Sequence, residues 1–346
     1  MITKLELNNY RRFNKLNVNF NNNVLIIGPN SYGKTSILEA LSVASITKSH
    51  QTNNLLDLIT HNKEFCNIKI TDDNKNEYKV VITKKGKTCF YNNKEIKLVS
   101  EYIGKLPIIF FSPYNLNLIK GAPSNRRNYI NLQISQINSL YMKDLNKYNN
   151  LLKERNILLK NDDIDMNLLE AITNQMAEYS KRIIEEREKF INSINKIINS
   201  VHSKLNDKEQ IEIVYESNLN KNDILGDFNN HLANDIKNKQ TEIGIQRDDF
   251  IFLINQKDSA KFGSLGQIRS LILSLQITLC YILNKIFKKY PLLLLDDVFG
   301  ELDTYRINNL LEIINNLGQV IISSVNLNGI NKDLINNYQI INLGVD

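Results

Sequence analysis

The 346-residue sequence predicts an α/β fold, a mixed sheet plus a small antiparallel β-lobe, with an inserted helical arm. Three observations predict it. Two short apolar runs, at residues 24–27 and 292–295, have no polar relief and read as strands buried on both faces. Shorter alternating segments at residues 2–7, 16–20, 67–71, 78–83 and 88–91, joined by Asn-, Asp- and Lys-rich turns, read as antiparallel strands. From about Gln136 the apolar spacing becomes three to four residues and holds past Asn161-Asp162-Asp163 as far as Val201.

The helical stretch predicts two antiparallel helices. The second, from Leu169 to Val201, has a length on the order of 45–50 Å at about 1.5 Å per residue, an arm projecting from the body. Strand-like sequence resumes at residues 211–215 and 250–254, so the arm is expected at 121–209 as an insertion into a head made of 1–120 and 210–346. Residues 270–284 are apolar but broken by Ser274, Gln276 and Thr278, and fall short of the roughly 20 apolar residues of a membrane span. They read as a buried helix.

Composition narrows the class. Hydrophobic residues make up 42% and charged residues 23%, which fits an ordered globular chain. Cys66, Cys89 and Cys280 form no CxxC pair, so neither a disulfide framework nor a zinc site is expected. His50, His61, His202 and His231 are equally scattered and read as surface or packing residues. The first residues reach Arg11 and Arg12 without an apolar stretch, so no export signal is expected and a cytoplasmic location fits. Charge is uneven: residues 1–120 carry 17 basic and 9 acidic side chains, residues 210–346 carry 12 and 16. Lys84, Lys85 and Lys87 cluster in a hairpin turn of the basic third, where they read either as phosphate contacts or as a solvated face.

The chemistry sits at the ends of the two buried strands. Gly28-Pro29-Asn30-Ser31-Tyr32-Gly33-Lys34-Thr35 satisfies the pattern GxxxxGK[ST], follows a strand and opens a helix at Ser36. Backbone N–H groups and a helix N-terminus would wrap triphosphate oxygens there, with Lys34 on the β- and γ-phosphates and the Thr35 hydroxyl on Mg²⁺. The second strand ends in Asp296 and Asp297, a Walker B arrangement. Asp296 would hold Mg²⁺ and Asp297 would orient or deprotonate the attacking water. Between them, Phe262-Gly263-Ser264-Leu265-Gly266-Gln267 opens an apolar helix, the turn that marks ABC ATPases. Such a turn, through Ser264, Gly266 and Gln267, serves the γ-phosphate held by a second subunit. Gly300-Glu301-Leu302-Asp303 fits the D-loop of the same interface. Ser324 stands where many ABC ATPases place a switch histidine, which suits slow, switch-like hydrolysis.

Further segments extend the pattern beyond the ATPase motifs: residues 7–13 (LNNYRRF), Phe111-Ser112-Pro113, Lys120 to Arg127 (KGAPSNRR), and Arg247-Asp248-Asp249 ahead of Phe262. In this order they make the chain resemble the RecF family over essentially its whole length. The resemblance implies an SMC-like head with a short helical arm, ATP as ligand and an ATP-dependent homodimer. It also implies binding to single-stranded and gapped duplex DNA, work with RecO and RecR in loading recombinase, and support of the SOS response. Ser31, Gln246 and Gly300 depart from the family pattern, where glycine, histidine and serine are usual. Arg126 and Arg127 read as a phosphate or interface contact or as a plain helix start. Arg11 and Arg12 read as nucleotide or surface residues. Two other classes stay open, the ATPase subunit of a membrane transporter and an ATP-gated module that does not hydrolyse. The long insertion and the missing histidine weigh against the first, and measured turnover separates the second.

Overall fold

Both buried apolar runs enter one sheet. The computed structural model describes residues 1–206 and 208–344, the side chain of Glu301 excepted, and by contacts the chain divides into two units. The first comprises Met1–Leu116, Ile197–Gln210 and Ser264–Asp346; the second comprises Asn117–Lys196 and Ile211–Gly263.

In the first unit a five-stranded sheet runs in the order Gln339–Asn342, Val24–Ile27, Val320–Ser324, Leu292–Asp296, Ile108–Phe111, every pairing parallel. Parallel strands need cover on both faces, which is why Leu292–Asp296 and Val320–Ser324 are buried at every position. A six-stranded antiparallel sheet accompanies it, in the order Phe13–Asn19, Ile2–Tyr10, Phe65–Asp72, Glu77–Thr83, Gly86–Tyr91, Lys94–Ile96. Its period-two burial places Leu5, Leu7, Ile68, Ile70, Val80 and Ile82 on the core face. The helix Lys34–Ile46 packs on strands of both sheets and is therefore buried almost all round. The ABC-type head expected from sequence is thus present, but parallel and antiparallel pairing are segregated into two sheets where a mixed sheet beside a small antiparallel lobe is expected, and the antiparallel part has six strands.

The register explains one lysine of the basic hairpin. Lys87 pairs with Ile82 and so faces inward, where its Nζ donates to the Thr47 carbonyl at 2.8 Å and hydroxyl at 2.9 Å. Thr47 is the C-cap of the helix Lys34–Ile46, so the lysine satisfies the negative pole of that helix. Lys84 and Lys85 are exposed.

The second unit holds the helices Pro123–Ile137, Ser139–Leu158, Ile224–Asn238 and most of Met166–His202, with a three-stranded antiparallel sheet of Ile211–Glu216, Asp249–Ile254 and Lys257–Asp258. Asn138 donates to Glu186, Arg182 to Asp144 and Arg155 to Thr173, a descending order that makes the two long helices antiparallel, as expected. At 37 residues the second is about 55 Å long, a turn beyond the expected span because Asp165 caps the start by accepting from Leu168 N. Contacts group residues 211–263 with the helices, beyond the insertion expected at 121–209. The reason is a set of ionic bonds. Arg187 reaches Asp248 at 2.5 Å, Arg155 reaches Asp235 at 2.7 Å, and Arg126 makes a two-pronged bond to Asp249. Arg126 is thereby a structural residue, while Arg127 donates to the Asp248 carbonyl at 2.8 Å.

The helix Leu265–Phe287 is the one helix among the described residues long and apolar enough to cross a membrane by length and composition, and its apolar residues are mostly buried in the fold. This is the buried helix expected around residues 270–284, extended at both ends.

Candidate nucleotide site

The loop after Val24–Ile27 is shaped by close approach. A Cβ on Gly28 would fall 2.3 Å from the Leu343 carbonyl oxygen, and one on Gly33, at φ 94°, would fall 2.5 Å from the Phe13 ring. Ser31 adopts φ 71°, the left-handed region that glycine enters freely, which accounts for the glycine usual at that position. Lys34 Nζ donates to the carbonyls of Gly28 at 2.6 Å and Pro29 at 2.9 Å. Burial lowers the pKa of this amine, against the pull of Asp297 and Asp296.

Asp296 ends its strand beside the loop. Its Oδ1 accepts from the Thr35 hydroxyl at 3.1 Å and from the Ser323 hydroxyl at 2.5 Å. Burial raises its pKa, opposed by those two hydrogen bonds and reinforced by Asp297. A carboxylate held out of water in this way gains from an added cation. No cluster of three or more His, Cys, Asp or Glu side chains suited to a metal occurs among the described residues. Thr35 and Asp296 together fit Mg²⁺, which takes one or two protein oxygens and fills its remaining positions with phosphate and water. Asp297 follows at φ 50°, held by its N–H to the Ser323 carbonyl and hydroxyl. A Cβ on Gly300 would meet the Asp297 carboxylate at an ordinary 3.6 Å, so a serine side chain fits there without strain. The Glu301 side chain lies outside the described residues.

These elements enclose a cavity of about 410 Å³. Its walls are Asn30, Ser31, Gly33, Lys34, Thr35 and Ser36 of the loop, Asp296 and Asp297, Arg11 and Arg12 of the turn between the first two strands, and Asp57 and Ile59 between the loop helix and the strand Phe65–Asp72. Gly28, Pro29 and Tyr32 do not line it. The two N-terminal arginines separate in role. Arg11 grips the buried Glu39 of the loop helix with Nε at 2.9 Å and Nη2 at 2.8 Å, and Tyr10 and Ser49 donate to the same carboxylate. Burial alone would raise the Glu39 pKa, but the bonds from Arg11 and Ser49 hold it below the ordinary value. Arg12 is exposed, donates to the Ser31 carbonyl and lies over the Tyr32 ring at 5.5 Å, so its positive charge stands at the phosphate loop. Glu39, Asp57, Ile59 and Ser323 carried no sequence signal, since each acquires its place through contacts distant along the chain.

The ABC signature turn is built as a capping box. Ser264 Oγ accepts from Gln267 N at 3.2 Å, and Gln267 Oε1 accepts from Ser264 N at 2.8 Å. The box uses the serine hydroxyl as an acceptor and leaves its proton available to donate. Gln267 Nε2 donates to Glu209 at 2.9 Å; Glu209 meets His202 Nε2 at 3.2 Å, and His202 Nδ1 meets the Ser274 hydroxyl at 2.8 Å. Among the described residues lining the 410 Å³ cavity, none comes from Ser264, Gly266 or Gln267. Ser324, at the position of the switch histidine, donates to the Asn326 carbonyl at 2.7 Å.

His50 follows the loop helix and packs edge-on against Phe110 at 4.3 Å. Burial lowers its pKa to about 4. An unfolded chain therefore takes up a proton near pH 6.5 that the folded chain refuses until about pH 4, so stability falls as pH drops through that window and this contribution levels off below it. Unfolding free energies from urea titrations between pH 7 and 4 are expected to decline on the order of 2 kcal/mol less in His50→Phe than in the parent. Equal declines would reject this assignment.

Fold and loop geometry together define a P-loop ATPase head of the ABC type. The family model described as an AAA domain matches residues 4–243. The DNA replication and repair protein RecF of Acholeplasma laidlawii is 36% identical over 94% of this chain and 93% of its own length; that of Bacillus subtilis is 33% identical over 96% and 95%. A solved structure of the recombination mediator protein RecF with ATP, in the RecFOR pathway, is similar with a TM-score of 0.87 and 28% identity over 95% of this chain and 94% of that one. The Smc head domain of Pyrococcus furiosus shares the fold, with a TM-score of 0.53 and 16% identity over 97% and 91%. The chain belongs to the RecF family of DNA replication and repair proteins.

Proposed function

We propose that this chain is a Mg²⁺-dependent ATPase switch of DNA repair that closes as a homodimer around two ATP molecules and holds DNA while closed. In each copy Lys34, the loop amides, Thr35 and Ser36 bind the triphosphate, Thr35 and Asp296 hold Mg²⁺, and Asp297 takes the proton of the attacking water. Ser264, Gly266 and Gln267 of the other copy seal the γ-phosphate. Slow hydrolysis then reopens the dimer. The carrying observation is that the nucleotide cavity takes its walls from the loop, the Walker B end and the N-terminal arginines, while the capped signature turn, with its donor proton free, contributes none of them. A second copy supplies the missing wall.

DNA enters this reading through the family. Single-stranded and gapped duplex DNA are the proposed ligands, RecO- and RecR-like proteins the proposed partners, recombinase loading and SOS support the proposed setting, and the cytoplasm the proposed location. Lys84 and Lys85 are exposed and unneutralised by the ion pairs of the antiparallel sheet, which supports a role in phosphate contact. Titrating gapped, single-stranded and duplex DNA with and without ATP, alongside sedimentation, tests the proposal. Tighter binding by an ATP-dependent dimer is expected, and affinity that ignores ATP overturns it. Affinity is also expected to fall with salt, and Lys84→Ala/Lys85→Ala to flatten the log–log slope by roughly 1 to 2. A slope equal to the parent's removes this hairpin from the DNA surface.

A further inference from the structure

The D-loop is followed by the helix Thr304–Ile314, whose N-cap Asp303 accepts from Arg306 N at 2.9 Å. The other carboxylate oxygen stands 3.6 Å from Arg306 Nε, and the two side chains are 59% and 30% exposed. Such a pair is weak, and it leaves most of the guanidinium donors unspent. Arg306 Nη1 lies at the signature turn: a Cβ on Gly266 would stand only 3.6 Å from it. Two large apolar neighbours in the chain, Leu265 and Tyr305, are 56% and 72% exposed. A cation and a helix N-terminus set among exposed apolar side chains make a surface suited to cover a polyanion presented by another copy.

We propose that Arg306 is a catalytic residue that acts in trans, donating to the γ-phosphate of the ATP held by Lys34 of a second copy. The inference rests on the two-copy reading above. As water attacks the γ-phosphorus, the bond to the β–γ bridging oxygen breaks, its electron pair leaves with ADP, and the water proton passes to Asp297. Negative charge grows on the bridging oxygen as the phosphoryl group departs. A guanidinium stays protonated throughout and offers parallel donors to two phosphate oxygens, so it stabilises this charge without taking part in proton transfer.

Mixing tests the assignment. Arg306→Ala alone is expected to lose ATP turnover by about 10²-fold or more while each copy binds a fluorescent ATP analogue within about twofold of the parent. Lys34→Ala alone is also inactive. In a mixed dimer of the two, one nucleotide meets an intact loop and an intact Arg306, so turnover returns on mixing, to the extent seen when Lys34→Ala is mixed with Ser264→Ala. Recovery with Ser264→Ala but not with Arg306→Ala overturns the role of Arg306 and leaves the two-copy reading standing. No recovery in either mixture overturns both, as parental turnover in Arg306→Ala alone overturns the first.

Discussion

Lys34→Ala is expected to weaken ATP binding about 100-fold or more and to leave the protein monomeric at ATP concentrations that dimerise the parent. The buried ammonium already sits among the Gly28 and Pro29 carbonyls, with its pKa lowered by burial, and a triphosphate gives it the charge partner that burial withholds. Alanine leaves the loop amides in place, so residual binding depends on dipoles alone. Dimerisation follows ATP in the proposed mechanism, so both signals disappear together. Light scattering with and without ATP reads the mass; an ATP-induced doubling in the variant rejects the proposed coupling.

Asp297→Asn is expected to slow turnover by about 10²- to 10⁴-fold while sparing nucleotide binding, so that the closed dimer persists after a chase. The substitution is nearly isosteric, and asparagine tolerates the φ of 50° that this position requires. Asp296, with its bonds from Thr35 and Ser323, is untouched, so the proposed Mg²⁺ site remains. What is lost is the proposed acceptor for the water proton. Dissociation at the parental rate after the chase would assign the proton to another group.

The parts of this site that the sequence disclosed are those in which chemistry and backbone geometry coincide over a few adjacent residues. A strand, a glycine loop and a helix start are contiguous at residues 24–36, and a strand ends in two carboxylates at residues 292–297. Glu39 is one polar residue in an apolar helix until Arg11 and Tyr10 are brought to it, and Ser323 is a strand residue until the parallel register sets it beside Asp296. Strand-like sequence at residues 211–215 and 250–254 matches the strands Ile211–Glu216 and Asp249–Ile254 but carries no information on which sheet a strand joins. That choice is made by Arg187 and Arg126, whose carboxylate partners lie 61 and 123 residues away. The departures from the family pattern are not legible either: the φ of 71° at position 31 explains the usual glycine and not the serine found here, and nothing in the structure explains glycine at position 300.

The inward turn of Lys87 divides three adjacent lysines into two kinds of reagent. Acetylating or replacing Lys84 or Lys85 alters what the hairpin offers to solvent; the same change at Lys87 strips the loop helix of its counterweight and is felt as a lower melting temperature. A charge-swap survey that pools the three would blend a polyelectrolyte signal with a folding one, and a protocol that labels by solvent access would sort them in one step.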